Sequence, residues 1–221
     1  MSAGPAAAQT AASNAVAETC RADIDDKKLD AREVVCLREL GKLASRNGDL
    51  LSLQFENGKS KAYQTNAKAC ETDDARNCIQ YWLAGYHPVA HVYSIAIQYY
   101  EGSGVELVNA RTGQTLLLPG VPYFSDDGSR FLVIDNDYAH GGDDDLAVGT
   151  TEGDVPALQW KRTWQDGPVE WRHQRWIDND HVALRVFPAD TAPNCPNNDC
   201  DAVLTRFDNG WVVRKLPAMQ R

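Results

Sequence analysis

The chain has 221 residues, of which 43% are hydrophobic and 24% charged, as is typical of a globular protein that buries one good core. A formal net charge of -9 and the lack of any Lys/Arg cluster exclude a nucleic-acid-binding surface, because such a surface must neutralise phosphates. No run of about 20 apolar residues predicts a membrane span. An acidic protein attracts basic partners or cations, although its charge can also serve solubility alone.

Residues 1–19 are predicted to form a flexible N-terminal tail. They are rich in Ala, Ser and Thr, and they lack the apolar segment of a signal peptide. This composition fits a mature exported chain whose signal was removed and replaced by a start Met.

Residues 20–48 are predicted to form a disulfide-tied helix. Asp30 is a candidate N-cap and Glu33 completes a capping box. An apolar stripe at helical spacing follows, and Gly48 is the candidate C-terminal stop. The pattern predicts a helix over residues 31–46.

Six cysteines fall in three closely spaced pairs, which are Cys20 with Cys36, Cys70 with Cys78, and Cys195 with Cys200. An even count at such spacings predicts disulfides, and therefore a periplasmic or secreted protein. Local pairing is the simplest connectivity, although the others stay open. A zinc site is the alternative, but no Cys-x-x-Cys occurs and no His lies at ligand spacing from a Cys pair.

From residue 49 onward the pattern alternates as in β-strands. Leu51, Leu53 and Phe55 alternate with polar residues, and Asn57-Gly58 is a strong hairpin signal. Short strands separated by turn residues then continue to the end of the chain. They are predicted at 79–86, 89–100, 105–108, 115–118, 124–133 (a hairpin), 146–148, 157–162, 169–176, 182–187 and 204–214 (a hairpin). Four strands are expected within 93–135 and four more within 146–187.

Two segments resemble a known repeat. YFSDDGSRFLV at residues 123–133 resembles the Phe-Ser-Pro-Asp-Gly blade signature of TolB-like and WD-repeat β-propellers, with Asp126 in place of Pro. LVNARTGQT at residues 107–115 resembles the Asp-x-x-Thr-Gly hairpin of the same blades. The resemblance implies a mainly β domain over residues 49–221. Its antiparallel meanders would form a partial or irregular propeller-like domain, with one N-terminal α-helix.

Catalytic motifs are missing from the sequence. There is no Gly-x-Ser-x-Gly elbow and no phosphate-binding loop. His87 and His91 would share a strand face as zinc ligands, but Pro88 interrupts the strand, which favours ordinary surface histidines. We therefore predict no catalytic residue, although propellers do host hydrolases.

The loop at residues 135–145 is strongly acidic, with five Asp and one Asn in eleven residues. Calcium binds six to eight oxygens of this kind, so calcium is the one cofactor that the sequence suggests. The candidate metal ligands are Asp135, Asp137, Asp143 and Asp145. The alternative is a solvated loop whose like charges repel.

The adjacent Tyr99 and Tyr100 would place one ring on each face of a strand, and exposed Tyr residues often anchor protein interfaces. The candidate partner-binding residues are Tyr99, Tyr100, Tyr138, Asp143 and Asp144. The sequence predicts an exported, non-enzymatic binding protein that acts through a protein–protein interface. Its partner would be a basic secreted or periplasmic protein, and a concrete version is an inhibitor or immunity protein that blocks a peptidoglycan hydrolase. The alternatives are a calcium- or small-ligand-binding β module, and a hydrolase.

Overall fold

The computed structural model describes residues 29–137, 144–163, 169–188, 200–208 and 210–215. The predicted tail at residues 1–19 lies outside these ranges. The chain divides into two compact units, Met1–Val121 with Gly153–Pro156, and Pro122–Glu152 with Ala157–Arg221. The described part is mainly β, as predicted, and its strands form four antiparallel sheets. No helix in these ranges is long and apolar enough to cross a membrane.

The described part of the first unit begins with helix α1, Leu29–Leu40, which runs into a 3₁₀ turn, Gly41–Leu43. The predicted helix over 31–46 was therefore too long. Gly41 has a φ of +56°, a left-handed conformation that ends a helix at little cost for glycine. After it, Leu43 ends the 3₁₀ turn and Ala44 begins the first strand, and Gly48 lies in the turn between the first two strands.

Glu33 does not act in a capping box. It is 4% exposed, and its carboxylate forms a two-pronged ion pair with Arg46 at 2.6 and 2.8 Å. It also accepts the backbone N–H of Leu83 at 2.7 Å. Asp30, the predicted cap, lies within the helix and accepts a hydrogen bond from Trp82 Nε1 at 2.6 Å. Both acids therefore attach the helix to strands rather than cap it.

A three-stranded meander follows the helix. Its strands are β1 Ala44–Asn47, β2 Leu50–Gln54 and β3 Ser60–Gln64. The predicted Asn57-Gly58 hairpin is confirmed: Gly58 has a φ of +80° and donates its N–H to Phe55 O at 3.0 Å. Leu51 and Leu53 are fully buried, as their alternation predicted.

The second sheet is a four-stranded meander that follows a short helix, α2 Ala67–Glu71. Its strands are β4 Ile79–His87, β5 Val92–Tyr99, β6 Ser103–Asn109 and β7 Thr115–Leu118. One core joins helix α1 to both sheets and includes Cys36, Leu51, Tyr93 and Val108. Helix α1 also contacts β4 extensively. The first unit therefore has a single core of its own.

The second unit contains two further four-stranded meanders. The third sheet comprises β8 Pro122–Phe124, β9 Arg130–Ile134, β10 Asp144–Thr150 and β11 Ala157–Thr163. The fourth comprises β12 Val169–Asp178, β13 His181–Pro188, β14 Cys200–Phe207 and β15 Gly210–Lys215. A core that includes Leu132, Val148, Trp171 and Leu204 joins them.

The predicted grouping of strands into 93–135 and 146–187 was wrong, because the sheets span 79–118, 122–163 and 169–215. The boundary between the second and third sheets falls at Pro119 to Pro122, where two prolines lack the N–H groups that a central ladder needs. Evenly spaced strands alone do not reveal where one sheet ends.

The segment that resembles a propeller blade forms the β8–β9 hairpin. The Asp127 carboxylate accepts hydrogen bonds from the Ser129 N–H at 2.9 Å, from the Ser125 hydroxyl at 2.8 Å and from Asn179. Burial acts to raise the pKa of Asp127, but these hydrogen bonds outweigh it and lower the pKa to about 2. The Asp of the motif therefore stabilises the turn.

Candidate functional site

Tyr100 lies in the turn after β5 and is 43% exposed. Its hydroxyl donates a hydrogen bond to Asp73 Oδ1 at 3.1 Å. Asp73 belongs to residues 71–77, all of them exposed, which the Cys70–Cys78 disulfide closes into a loop. An exposed tyrosine is thus attached to a covalently closed loop. We call residues 71–77 with 100–101 the Tyr100 surface.

The Tyr100 surface is acidic. Its charged side chains are four acids and one base, namely Glu71, Asp73, Asp74, Glu101 and Arg76. The pKa of the Tyr100 phenol is raised, mainly by the hydrogen bond to Asp73 and next by the charge of Asp73. The phenol therefore stays a neutral hydrogen-bond donor at pH 7. An aromatic ring among carboxylates suits the Lys or Arg side chain of a partner.

Tyr99, the last residue of β5, is half-buried. It interacts electrostatically with Tyr81, whose pKa is raised first by burial and then by Tyr99. The Tyr81 ring packs against Tyr63, with ring centroids 5.1 Å apart. Tyr99 is thus half-buried and lies near the packed pair Tyr63 and Tyr81, whereas Tyr100 is exposed.

Glu106 connects this tyrosine cluster to a cation, a feature that the sequence analysis missed. Its carboxylate accepts hydrogen bonds from the Tyr63 hydroxyl and from Lys61 Nζ, the latter at 2.8 Å. Burial, followed by the bond to Glu106, raises the pKa of Tyr63. No local pattern predicts this cluster, because β3 and β6 lie far apart in the sequence.

Asp144, another predicted partner-binding residue, lies at the start of β10 in the second unit. It accepts hydrogen bonds from Lys161 Nζ at 2.8 Å and from the Thr163 hydroxyl at 3.0 Å. The bond from Lys161 is the main cause of its lowered pKa. Its charge is thus already paired within its own sheet. Tyr138 and Asp143 lie outside the described residues.

The ends of β9 and β10 bring two of the predicted metal ligands close together, since Asp135 N–H donates to Asp145 O at 3.0 Å. Burial, together with the charges of Asp137 and Asp145, raises the pKa of Asp135. The side chain of Asp145 is fully buried. Its Oδ2 accepts hydrogen bonds from Arg162 and from Trp171 Nε1, and its Oδ1 has no hydrogen-bond partner among the residues that the structure describes.

Across the described ranges, no group of three or more acidic, His or Cys side chains is arranged to hold a metal ion. Asp143, the fourth predicted ligand, lies outside them. His91 is in the β4–β5 turn, where its Nδ1 lies 2.6 Å from Glu56 Oε1 and its φ is +52°. Its partner is therefore a carboxylate.

The Cys70–Cys78 disulfide is confirmed, with Cα atoms 4.5 Å apart. Cys200 is disulfide-bonded as well, and its predicted partner Cys195 lies outside the described residues. Cys36 is buried in the core of the first unit, and its predicted partner Cys20 also lies outside. The two outer pairings stay predictions.

The comparisons with known proteins leave the family open. No protein-family model, curated protein or solved structure matches this chain significantly. The likeness to TolB-like and WD-repeat blades thus stays a resemblance of two segments.

Proposed function

We propose that this chain is an exported, non-enzymatic binding protein that acts through a protein–protein interface on the Tyr100 surface. The observation that carries the proposal is the exposed Tyr100, hydrogen-bonded at 3.1 Å to a loop closed by a disulfide. A tyrosine held in one orientation loses less conformational entropy on binding than a mobile one. Such side chains contribute most of the binding free energy in many interfaces.

The charge of this surface suggests the chemistry of the partner. The Tyr100 surface contains four acids and one base, and the whole chain carries a net charge of -9. A basic protein would be attracted at long range, and one of its Lys or Arg side chains would contact the ring and carboxylates of the surface. A basic secreted or periplasmic peptidoglycan hydrolase is the concrete partner that we propose. The chain would inhibit it by covering its substrate cleft.

Capture from a periplasmic or extracellular extract tests this proposal. The oxidised wild-type chain and the Tyr100→Ala variant serve as baits. Phe207→Ala is the matched control, because Phe207 is an equally exposed aromatic residue, 44% exposed, in the second unit. We expect a basic protein to be retained by the wild type and by Phe207→Ala, released by salt, and lost with Tyr100→Ala. Equal retention by all three baits would place the interface elsewhere, and retention of no basic protein would end the inhibitor proposal.

We also propose that the three four-stranded sheets are propeller-like blades. Their first strands begin at Ile79, Pro122 and Val169, so the period is 43 and then 47 residues. Propeller repeats of four antiparallel strands have periods of about 40–50 residues. The β8–β9 hairpin with the blade-like motif is the first hairpin of its sheet. An experimental structure with the sheets arranged radially around an axis would support the proposal, and stacked layers would contradict it.

Calcium binding is a second candidate function, favoured by the buried Oδ1 of Asp145, which has no hydrogen-bond partner among the described residues and lies near Asp135 and Asp137. Because the described side chains do not form a complete metal site, Asp143 would have to supply a further ligand. Burial is the main cause of the raised pKa of Asp135, and the charges of Asp137 and Asp145 add to it, so bound calcium would offset this second contribution. Calorimetric titration of the chain with calcium tests this idea, with Asp135→Asn as the variant and Asp126→Asn as the charge-matched control. Heat of binding that only Asp135→Asn abolishes would support it. No heat with the wild type would reject it.

A further inference from the structure

The loop that carries Asp73 has little apolar attachment of its own. Residues 71–77 are all exposed. Backbone hydrogen bonds at 3.0 Å join Asp74 N–H to Ala69 O and Cys78 N–H to Asp74 O. Asn77 donates from its N–H to Asp74 O and from its side chain to the Asp74 carboxylate, and Thr72 donates to Lys68 O. The covalent constraint is the Cys70–Cys78 disulfide, which joins helix α2 to the residue before β4. A covalent closure of this kind removes most alternative conformations of a short loop.

Asp73 has a backbone conformation that an open loop would not favour. Its φ is +57°, in the left-handed region, which is unfavourable for a non-glycine residue, although Asp tolerates it better than most. The closed loop and its hydrogen bonds therefore hold this conformation together. Because Asp73 Oδ1 accepts the Tyr100 hydroxyl, the same constraint fixes the direction of the phenol.

We infer that the Cys70–Cys78 disulfide and Asp73 are positioning residues for Tyr100, so that the Tyr100 surface is complete only while the disulfide is closed. The inference deepens the proposed function and rests on it for the claim that a partner uses this surface. Partner binding then requires an oxidising compartment. A reducing one releases Asp73 and leaves Tyr100 without its acceptor.

The opening reaction is ordinary thiol–disulfide exchange with a dithiol such as dithiothreitol. One thiolate attacks a sulfur of the pair and the S–S bond breaks, which gives a mixed disulfide and one cysteine thiolate. The second thiol of the reductant then releases the other cysteine. The protein gains two thiols, and the dithiol becomes a cyclic disulfide.

The core cluster and the β4–β7 ladder of the first unit do not include this bond. Its core cluster includes neither Cys70 nor Cys78. The β4–β7 ladder is continuous from the β4–β5 pair to the β6–β7 pair. Opening the disulfide should therefore change the loop and Tyr100 without unfolding the sheet.

The test compares the full-length wild type with the double variant Cys70→Ser/Cys78→Ser. NMR of ¹³C-labelled tyrosine, assigned with Tyr100→Phe, gives the titration of Tyr100. We expect the raised pKa of Tyr100 in the wild type to move toward the ordinary value in the double variant, with far-ultraviolet circular dichroism unchanged. Asp73→Asn, which removes the carboxylate but keeps the disulfide, should lower the pKa in the same way. The same Tyr100 titration in the wild type and the double variant would overturn the inference.

Reduction of the wild type provides a second route to the same state. Dithiothreitol should reproduce the Tyr100 titration of the double variant, and it should cause no further change at Tyr100 in that variant. This comparison separates the Cys70–Cys78 bond from the disulfide at Cys200, which the reductant also opens. A change at Tyr100 on reduction of the double variant would overturn the assignment to Cys70–Cys78.

Binding of the captured basic partner separates this inference from the proposed function. We expect the double variant to bind at least about tenfold more weakly than the wild type, which corresponds to about 1.4 kcal/mol. Equal binding would overturn the positioning role while the proposed function stands. A changed Tyr100 titration with no basic partner for either form would support the positioning role and reject the proposed function.

Discussion

At the scale of single residues, three aspartates show how the surroundings of a carboxylate decide its role. Asp127 accepts hydrogen bonds from the hairpin that contains it, and its pKa is lowered to about 2. Asp145 is buried against Arg162 and Trp171, and one of its oxygens has no partner within the described part of the chain. Asp73 is exposed and accepts a hydrogen bond from Tyr100. The first stabilises a turn, and the other two are candidates for binding.

Asp127→Ala should lower the free energy of unfolding by about 1 kcal/mol, because it removes the acceptor of the β8–β9 turn. The side chain is exposed, so solvent screening keeps the loss small. Urea denaturation measures it. Asp126→Ala is the control, since Asp126 is the exposed neighbouring aspartate, and it should change stability by less than about 0.5 kcal/mol. Equal effects of the two variants would contradict this role for Asp127.

The stability lost in Asp127→Ala should depend on pH. The folded pKa of Asp127, about 2, is below the ordinary 3.8, so the folded state holds a proton less readily than the unfolded state. Its contribution to stability is complete above about pH 4 and is lost as the pH falls through about 2. The difference in Tm between the wild type and Asp127→Ala should therefore narrow from pH 6 to pH 2. A constant difference would show that the carboxylate charge is not involved.

At the scale of elements, the position of helix α1 depends on one buried acid. Glu33 joins the helix to β1 through Arg46 and to β4 through the N–H of Leu83. Arg46 in turn donates to Tyr81 O at 2.6 Å. One carboxylate thus links three elements.

Glu33→Ala should destabilise the chain by about 3 kcal/mol, because it leaves the largely buried Arg46 unpaired. Glu39→Ala is the control on the same helix. Its pair with Arg38 is exposed, at 40% and 73% of the two side chains, so the loss should be under about 1 kcal/mol. Chemical denaturation followed by circular dichroism measures both. A cost for Glu33→Ala no larger than that of the control would mean that other contacts fix the helix.

The local elements could be predicted from the sequence, whereas the contacts between them could not. Asn57-Gly58 marks its hairpin because the turn needs those residue types, and the predicted 115–118 strand matches β7. The predicted helix ran past Gly41 to residue 46, because short apolar runs fit both helix and strand. The contact of Tyr100 with Asp73 spans 27 positions, and no pattern in either segment reveals the other.

At the scale of the whole molecule, the net charge of -9 should govern the rate of association with a basic partner. Attraction between opposite net charges accelerates encounter and is screened by salt. We expect the association rate constant to fall at least about tenfold between 0.02 and 0.5 M NaCl, while the dissociation rate changes much less. Surface plasmon resonance measures both constants. An association rate that does not depend on salt would contradict a partner selected by charge.

The most direct test of the account is the affinity of the captured partner for chains that differ by one charge. Asp73→Asn removes a carboxylate from the Tyr100 surface, and Asp126→Asn removes one from an exposed turn of the second unit. We predict that Asp73→Asn weakens binding at least about tenfold, whereas Asp126→Asn weakens it less than about twofold. Equal effects would mean that only net charge matters, and the Tyr100 surface would then not be the binding site.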